Sequence, residues 1–322
     1  MLSIIICHRK KELLSALKTN IEETIGIPYE LIVIDNAENN YTILSAYNEG
    51  VKRAKYDLIC FSHEDILFHT KDWGKKIIAH FADSNAGMIG VAGGLAQSEI
   101  PSAWWYNDYF AKSVNNVLMP SNDKNDKRFY HYKPDFIIDK TEVVVIDGVW
   151  FCIRKSLFDE IAFDEKVFKG FHLYDMDISM QVSKHSKIYV ANDILLQHFS
   201  NGKITESYYE DLISFTEKWK QYLPIQNEKV ESEYMKFYNW HALRKLVLEM
   251  KDWNISETFI QKTFKKYYPI VKKKWNSKWF RAYFFLSELI GYKFITRVFF
   301  KLEKLSGFSK TSGYVKEEYK GN

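Results

Sequence analysis

Three short stretches of this 322-residue chain carry the residue types that chemistry needs. The first, FSHEDILF, sets His63, Glu64 and Asp65 directly after an apolar run. Carboxylate and imidazole groups are ligands that a divalent cation such as Mn²⁺ or Mg²⁺ accepts while keeping positions open for phosphate oxygens. Asp65 is the expected ligand, with His63 and Glu64 beside it; a solvated acidic turn is the plainer alternative. The second stretch, FHLYDMDISMQV, holds Asp175 and Asp177. A helix starting near Tyr174 puts Asp175 in its first turn, where free backbone N–H groups favour an ionised carboxylate. Asp177, two residues on, then points elsewhere. Helix capping alone would also account for both. The third stretch, LLQHFSNGK, leaves His198 at the end of an apolar run. A lone histidine there is more often a core or surface residue than a ligand.

The elements that must position these residues follow from hydrophobic pattern. Leu2 to Cys7, Leu31 to Ile34 and Asp57 to Phe61 read as strands, separated by helices over Lys11 to Asn20 and around Ala46, Tyr47, Val51 and Ala54. Such alternation predicts an α/β fold with a mostly parallel sheet flanked by helices. In such sheets ligands bind beyond the carboxyl ends of the strands, so His8, Arg9, Asp35, Asn36, His63, Glu64 and Asp65 share one rim. Further on, Lys71 to Phe81 reads as a helix and Met88 to Leu95 as a glycine-rich strand. Gln97 to Asp139 reads as long loops or a β-ribbon. Val143 to Ile146 and Val149 to Ile153 read as strands around the turn Asp147-Gly148, followed by a short helix over Lys155 to Ile161, a helix over Tyr174 to Lys184, and extended segments at Ile188 to Val190 and Ile194 to Phe199.

The order strand, IDN, YNEGVKRA, LICFSHED resembles the family 2 glycosyltransferases. That resemblance covers about residues 1 to 203. It implies a GT-A fold in which a strand ends in an Asp that contacts the nucleotide base, an Asn-x-Gly-x-x-x-Ala helix follows, and a DxD-type motif holds the metal. Asp35, Asn48, Gly50, Ala54 and Asp65 fall on those positions. His63 replaces the first Asp of the motif, as in one subgroup of these enzymes. Tyr174-Asp175 falls on the family's Glu-Asp pair, making Asp175 the expected base for the acceptor hydroxyl and Asp177 a structural or acceptor-orienting carboxylate. His198 matches the terminal histidine that completes the metal site or meets the diphosphate, with Ser200 to Lys203 closing over the phosphates and Lys203 countering their charge. Gly148 and Trp150 match the strand that floors the acceptor site, where Trp150 either stacks on a sugar or is buried. The nucleotide is expected against Cys7, His8, Arg9, Asp35, Asn36, Asn48, His63 and Glu64. The resemblance thus implies an inverting transfer from a nucleoside-diphosphate sugar, UDP-linked by preference, to a glycan in cell-surface polysaccharide synthesis; a lipid-linked glycan as acceptor is the expectation that the basic C-terminal tail adds. The alternatives are a non-catalytic protein of the same fold and a sugar nucleotidyltransferase.

The domain reading is a catalytic region over 1–205, with a nucleotide-binding half at 1–95 and an acceptor half at 96–205, and a helical extension over 206–322. From Phe264 onward, 14 Lys/Arg stand against 4 Asp/Glu, whereas the preceding residues carry 31 against 37. Lys293, Arg297, Lys301 and Lys304 recur at helical spacing beside Ile295, Val298, Phe299, Leu302 and Leu305, which reads either as an anchor on an anionic membrane surface or as a helix packed on the domain. No recognition module accompanies this charge, so nucleic acid is not an expected partner. No phosphate-loop, dinucleotide, hydrolase-elbow or zincin motif occurs. Three cysteines, Cys7, Cys60 and Cys152, with no metal spacing, and no apolar leader of signal length, suggest reduced thiols and a cytoplasmic location, peripheral to the membrane if the tail binds it.

Overall fold

The first strand, β1 (Leu2–His8), is buried along nearly its whole length, as expected of β-branched and aliphatic residues in a sheet covered on both faces. The computed structural model describes residues 1–110, 112–120, 129–133, 138–200, 204–228, 230, 232–274 and 315–318. Helix α1 (Lys11–Thr24) carries the chain to β2 (Tyr29–Asp35), and α2 (Ile43–Arg53) carries it to β3 (Leu58–Ser62). Both strands pair parallel with β1. Then come β4 (Ile66–Phe68), α3 (Trp73–His80), β5 (Ala86–Gly90), β6 (Lys140–Val143), β7 (Trp150–Arg154), α4 (Tyr174–Val182), β8 (Lys187–Ala191) and β9 (Leu196–His198). The central sheet has seven strands in the order β6-β8-β5-β7-β3-β1-β2. Strand β7 runs antiparallel to both of its neighbours, β3 and β5. The expected mostly parallel α/β sheet is therefore what the chain forms, with β7 and β6 reversed.

Helix α2 shows why the residues 42–54 fold as they do. Thr42 and Ser45 form a reciprocal capping box at its start, satisfying backbone N–H groups that have no intrahelical partner. Its glycine serves close packing: a Cβ at Gly50 would lie 2.4 Å from Ile5 Cγ2 on β1. Tyr47, on the same helix, is fully buried. Its ring packs against Phe61, Phe163 and Tyr174 with centroids 4.9, 5.3 and 5.6 Å away. Much of the aromatic surplus thus fills core rather than surface.

The chain divides into two compact units: Met1–Leu95 with Ser113–Lys203 and Tyr314–Asn322, and Ala96–Lys112 with Ile204–Gly313. In the second unit α5 (Glu206–Trp219), α6 (Ser232–Asp252) and α7 (Glu257–Lys274) accompany a 3₁₀ turn over Trp104–Phe110. Trp104 is buried, and Trp105 stacks on Tyr208 at 6.2 Å, so these two rings belong to this unit's packing. The described part of the 97–139 stretch also holds short strands at Ser113–Asn115, Val117–Pro120 and Phe129–Lys133, with loops between them. Among the described residues no helix is long and apolar enough to cross a membrane. The amphipathic pattern at Lys293 to Leu305, and Lys203, lie outside the described residues.

One expectation fails here. Cys60 on β3 and Cys152 on β7 are register partners and form a disulfide, leaving Cys7 as the free thiol. The spacing of 92 residues hid a pair that only the antiparallel register brings together, and the argument from cysteine count to a reducing compartment loses its ground.

Two outcomes follow. Alkylation of the denatured, unreduced protein labels Cys7 alone, and prior reduction raises the count to all three cysteines; three labelled thiols without reductant would contradict the crosslink. Gly50→Ala lowers the unfolding free energy by ~1–3 kcal/mol despite the better helix propensity of alanine, because the added methyl overpacks Ile5; a lower urea midpoint at unchanged m-value reads this out.

Candidate active site

The antiparallel insertion of β7 assembles the site. Because Trp150 is the register partner of Ser62, the turn leaving β3 and the turn entering β7 emerge at the same sheet edge. The His63 N–H donates to the Val149 carbonyl at 3.1 Å and ties the two turns. Strand β9 pairs antiparallel with β4, with His198 opposite Ile66, so His198 arrives beside Asp65. One ligand atom from each of His63, Asp65 and His198 lies within 4.8 Å of the others. Asp65 Oδ1 is 3.9 Å from His63 Nδ1 and 3.3 Å from His198 Nε2.

The electrostatics of this trio suit a cation. Burial alone would raise the Asp65 carboxyl, but the hydrogen bond and charge of His198, with His63 and Ser200, hold it well below the usual carboxylate range. Burial, aided by the neighbouring His198, pushes the His63 imidazole down to about 4 against the pull of Asp65 and Asp147. A neutral imidazole beside an ionised carboxylate is the protonation state in which both coordinate metal. This donor set of two imidazoles and one carboxylate fits a divalent cation with open positions.

Across the same turn stands Asp175, at the start of α4. Its Oδ2 accepts the Gly148 N–H at 2.7 Å, and its Oδ1 accepts the Met176 N–H at 2.8 Å. The sequence reading expected a carboxyl ionised by the helix terminus. The structure reverses this: burial first, and then the charge of Asp147, raise its pKa to about 7. The backbone N–H bonds do oppose that rise, but desolvation wins. Asp147 and Tyr174 are neighbours of the site to which sequence reasoning gave no role. The Tyr174 hydroxyl lies 2.8 Å from His63 Nε2 and donates to the Gly148 carbonyl at 3.0 Å. Gly148 is required here, since a Cβ would lie 2.2 Å from that hydroxyl. Phe171, 54 % exposed, is a third omission: its ring centroid lies 5.5 Å from that of His63. The glycine beside an acidic turn residue, and a tyrosine in place of the family's Glu, were the available signals.

The remaining expected site residues divide. His8 and the exposed Asp35 are register partners at the ends of β1 and β2, with His8 Nε2 3.6 Å from Asp35 Oδ1. Arg9 is exposed and its guanidinium donates to Asn39. Cys7 is part-buried, and burial raises its thiol. Asn36 is buried and shapes the loop, exchanging hydrogen bonds with the Tyr41 backbone at 2.9 and 2.8 Å. Four of the expected site residues have structural partners. Glu64 lies outside the His63, Asp65 and His198 cluster; it accepts the N–H groups of Arg9 and Lys10 at 3.0 and 3.1 Å, where a carboxylate complements the N-terminus of α1. Asn48 spends its amide on Phe163 and Glu165, clamping that loop to α2. Trp150 is fully buried, edge-on to Phe68 and Trp73, and presents no face to a sugar. Asp177 is buried and accepts from Gln181 at 2.8 Å, so it braces α4 internally.

No curated protein matches the chain. Among solved structures, A197 from STIV is 13% identical over 62% of this chain and 86% of its own, with a TM-score of 0.34. GalNAc-T7 with UDP, GalNAc and Mn2+ is 8% identical over 83% of this chain and 55% of its own, with a TM-score of 0.47. S. aureus TarS 1-349 is 13% identical over 76% and 80%, with a TM-score of 0.41. These likenesses are too loose to speak to chemistry. The family model described as "Glycosyltransferase like family", however, matches residues 3–218, which is more than half of the sequence and includes His63, Asp65 and His198, the 147–149 turn and Asp175. The chain belongs to that glycosyltransferase-like family.

Proposed function

We propose that this protein transfers a sugar from a nucleoside diphosphate, with UDP as the favoured carrier, to a hydroxyl of a glycan or lipid-linked glycan, with inversion at the anomeric carbon. One observation supports this beyond family membership: a three-residue ligand cluster and a carboxyl that titrates near neutrality flank a single turn, 147–149. His63, Asp65 and His198 would hold Mn²⁺ or Mg²⁺, which when bound neutralises the charge of the departing diphosphate. The rim of His8, Arg9, Asp35 and Asn36 takes the nucleotide. Asp175 accepts the proton of the acceptor hydroxyl as its oxygen forms the new bond to the anomeric carbon and the bond to the diphosphate oxygen breaks. A base with a pKa near the working pH is the efficient choice for that step. The GT-A assignment and the subgroup with His in place of the motif's first Asp belong to the same reading.

The test is release of nucleoside diphosphate from UDP- and GDP-sugars with an acceptor mixture and Mn²⁺. Because Asp175 acts only when deprotonated, the rate rises with pH through about 7 and flattens above it; an ordinary Asp would give a profile already flat there. Asp175→Asn lowers kcat by about 10²–10⁴-fold, the usual worth of a general base, with donor affinity retained. Metal-dependent nucleotide binding without any transfer would favour a non-catalytic role. Failure of the folded protein to bind either nucleotide, with or without Mn²⁺, would sink the proposal.

A further inference from the structure

The hydroxyl of Tyr174 decides which nitrogen of His63 is free to bind a metal. A phenol carries one proton. The Gly148 carbonyl, 3.0 Å from the Tyr174 oxygen, can only accept, and the phenol proton is assigned to it. The contact between the same oxygen and His63 Nε2 at 2.8 Å then has a single donor left, the Nε2–H of the imidazole. A neutral imidazole has one N–H, which leaves Nδ1 with its lone pair exposed, and Nδ1 is the nitrogen that faces Asp65 Oδ1 at 3.9 Å. Two ligand atoms each about 2.0–2.2 Å from one ion stand roughly 3–4 Å apart, so this separation suits ligands of one cation.

We infer that Tyr174 is a positioning residue that holds His63 in the Nε2–H tautomer and presents Nδ1 to the cation. The inference rests on the reading that His63, Asp65 and His198 take a divalent metal. The clamp is built into its surroundings. Tyr47 and Phe163 pack against the Tyr174 ring with centroids 5.6 and 6.3 Å away. Gly148 leaves room for the hydroxyl where a Cβ would collide with it. The same glycine donates its N–H to Asp175, so a single residue of backbone is pinned from one side by the metal ligand's partner and from the other by the base. A tyrosine retained for packing alone would need only the carbonyl bond; the second contact, to a ring nitrogen, is what selects a tautomer. Outer partners of this kind commonly change metal affinity by about 10–100-fold when removed.

The experiment has two readouts. Long-range ¹H–¹⁵N correlation of histidine-labelled, metal-free protein at pH 8 gives the His63 tautomer directly, with the His63 signals identified by their loss in His63→Gln. Calorimetric titration then gives the Mn²⁺ dissociation constant of the wild type and of Tyr174→Phe, whose fold is checked by circular dichroism. The expected result is an Nε2–H pattern in the wild type and about 10–100-fold weaker Mn²⁺ binding in Tyr174→Phe. An Nδ1–H pattern in the wild type overturns the inference without recourse to any variant. Tight Mn²⁺ binding by the wild type with equal affinity in Tyr174→Phe overturns it while leaving the metal reading intact. No Mn²⁺ uptake by the wild type overturns both.

Discussion

The reversed strand β7 is the constraint on which the rest depends. In a wholly parallel sheet the segment after β3 and the segment before its neighbour would leave at opposite edges. Because β7 runs against β3, with Trp150 opposite Ser62, residues 63–65 and 147–149 emerge together. The bond from His63 N–H to Val149 O closes them into one unit, and the Cys60–Cys152 crosslink lies two register positions below. Aromatic packing of Phe61 on Phe151, with centroids 5.0 Å apart, fills the same strand pair.

On that frame two carboxylates are driven in opposite directions. Asp65 sits between two imidazoles and stays ionised; Asp175 sits beside Asp147 and holds its proton to about pH 7. Desolvation raises both; at Asp65 the hydrogen bond and charge of His198, with His63 and Ser200, outweigh it, whereas at Asp175 burial comes first and the charge of Asp147 adds to it. Separation of titration ranges within one site is how a fold assigns distinct roles to chemically similar groups. It also couples stability to pH. Since Asp175 has a folded-state pKa above that of an unfolded Asp, its contribution to stability is full below about 4, the ordinary Asp range, and is lost as pH rises through about 7.

The sheet was legible because Leu2 to Cys7, Leu31 to Ile34 and Leu58 to Phe61 are apolar runs bounded by polar residues, and their polar ends mark a rim by geometry alone. The trio of His63, Asp65 and His198 could be nominated from residue type and order, although nothing in the sequence between them says they meet; the β4–β9 pairing does that. What stayed hidden was set by partners distant in sequence. Trp150 and Cys152 share a strand buried on both faces, so alternation could not say which way either points. The state of Asp175 depends on Asp147, and that of His63 on Tyr174. Helix position is a local signal, and desolvation is not.

The central claim is that His63, Asp65 and His198 hold a divalent cation against a nucleoside diphosphate. Anomalous diffraction at the manganese absorption edge, from crystals grown with Mn²⁺ and UDP, tests it most directly. The account predicts one strong peak within coordination distance of all three side chains, with diphosphate oxygens completing its shell. A peak bound elsewhere, or none where UDP is well ordered, would contradict it.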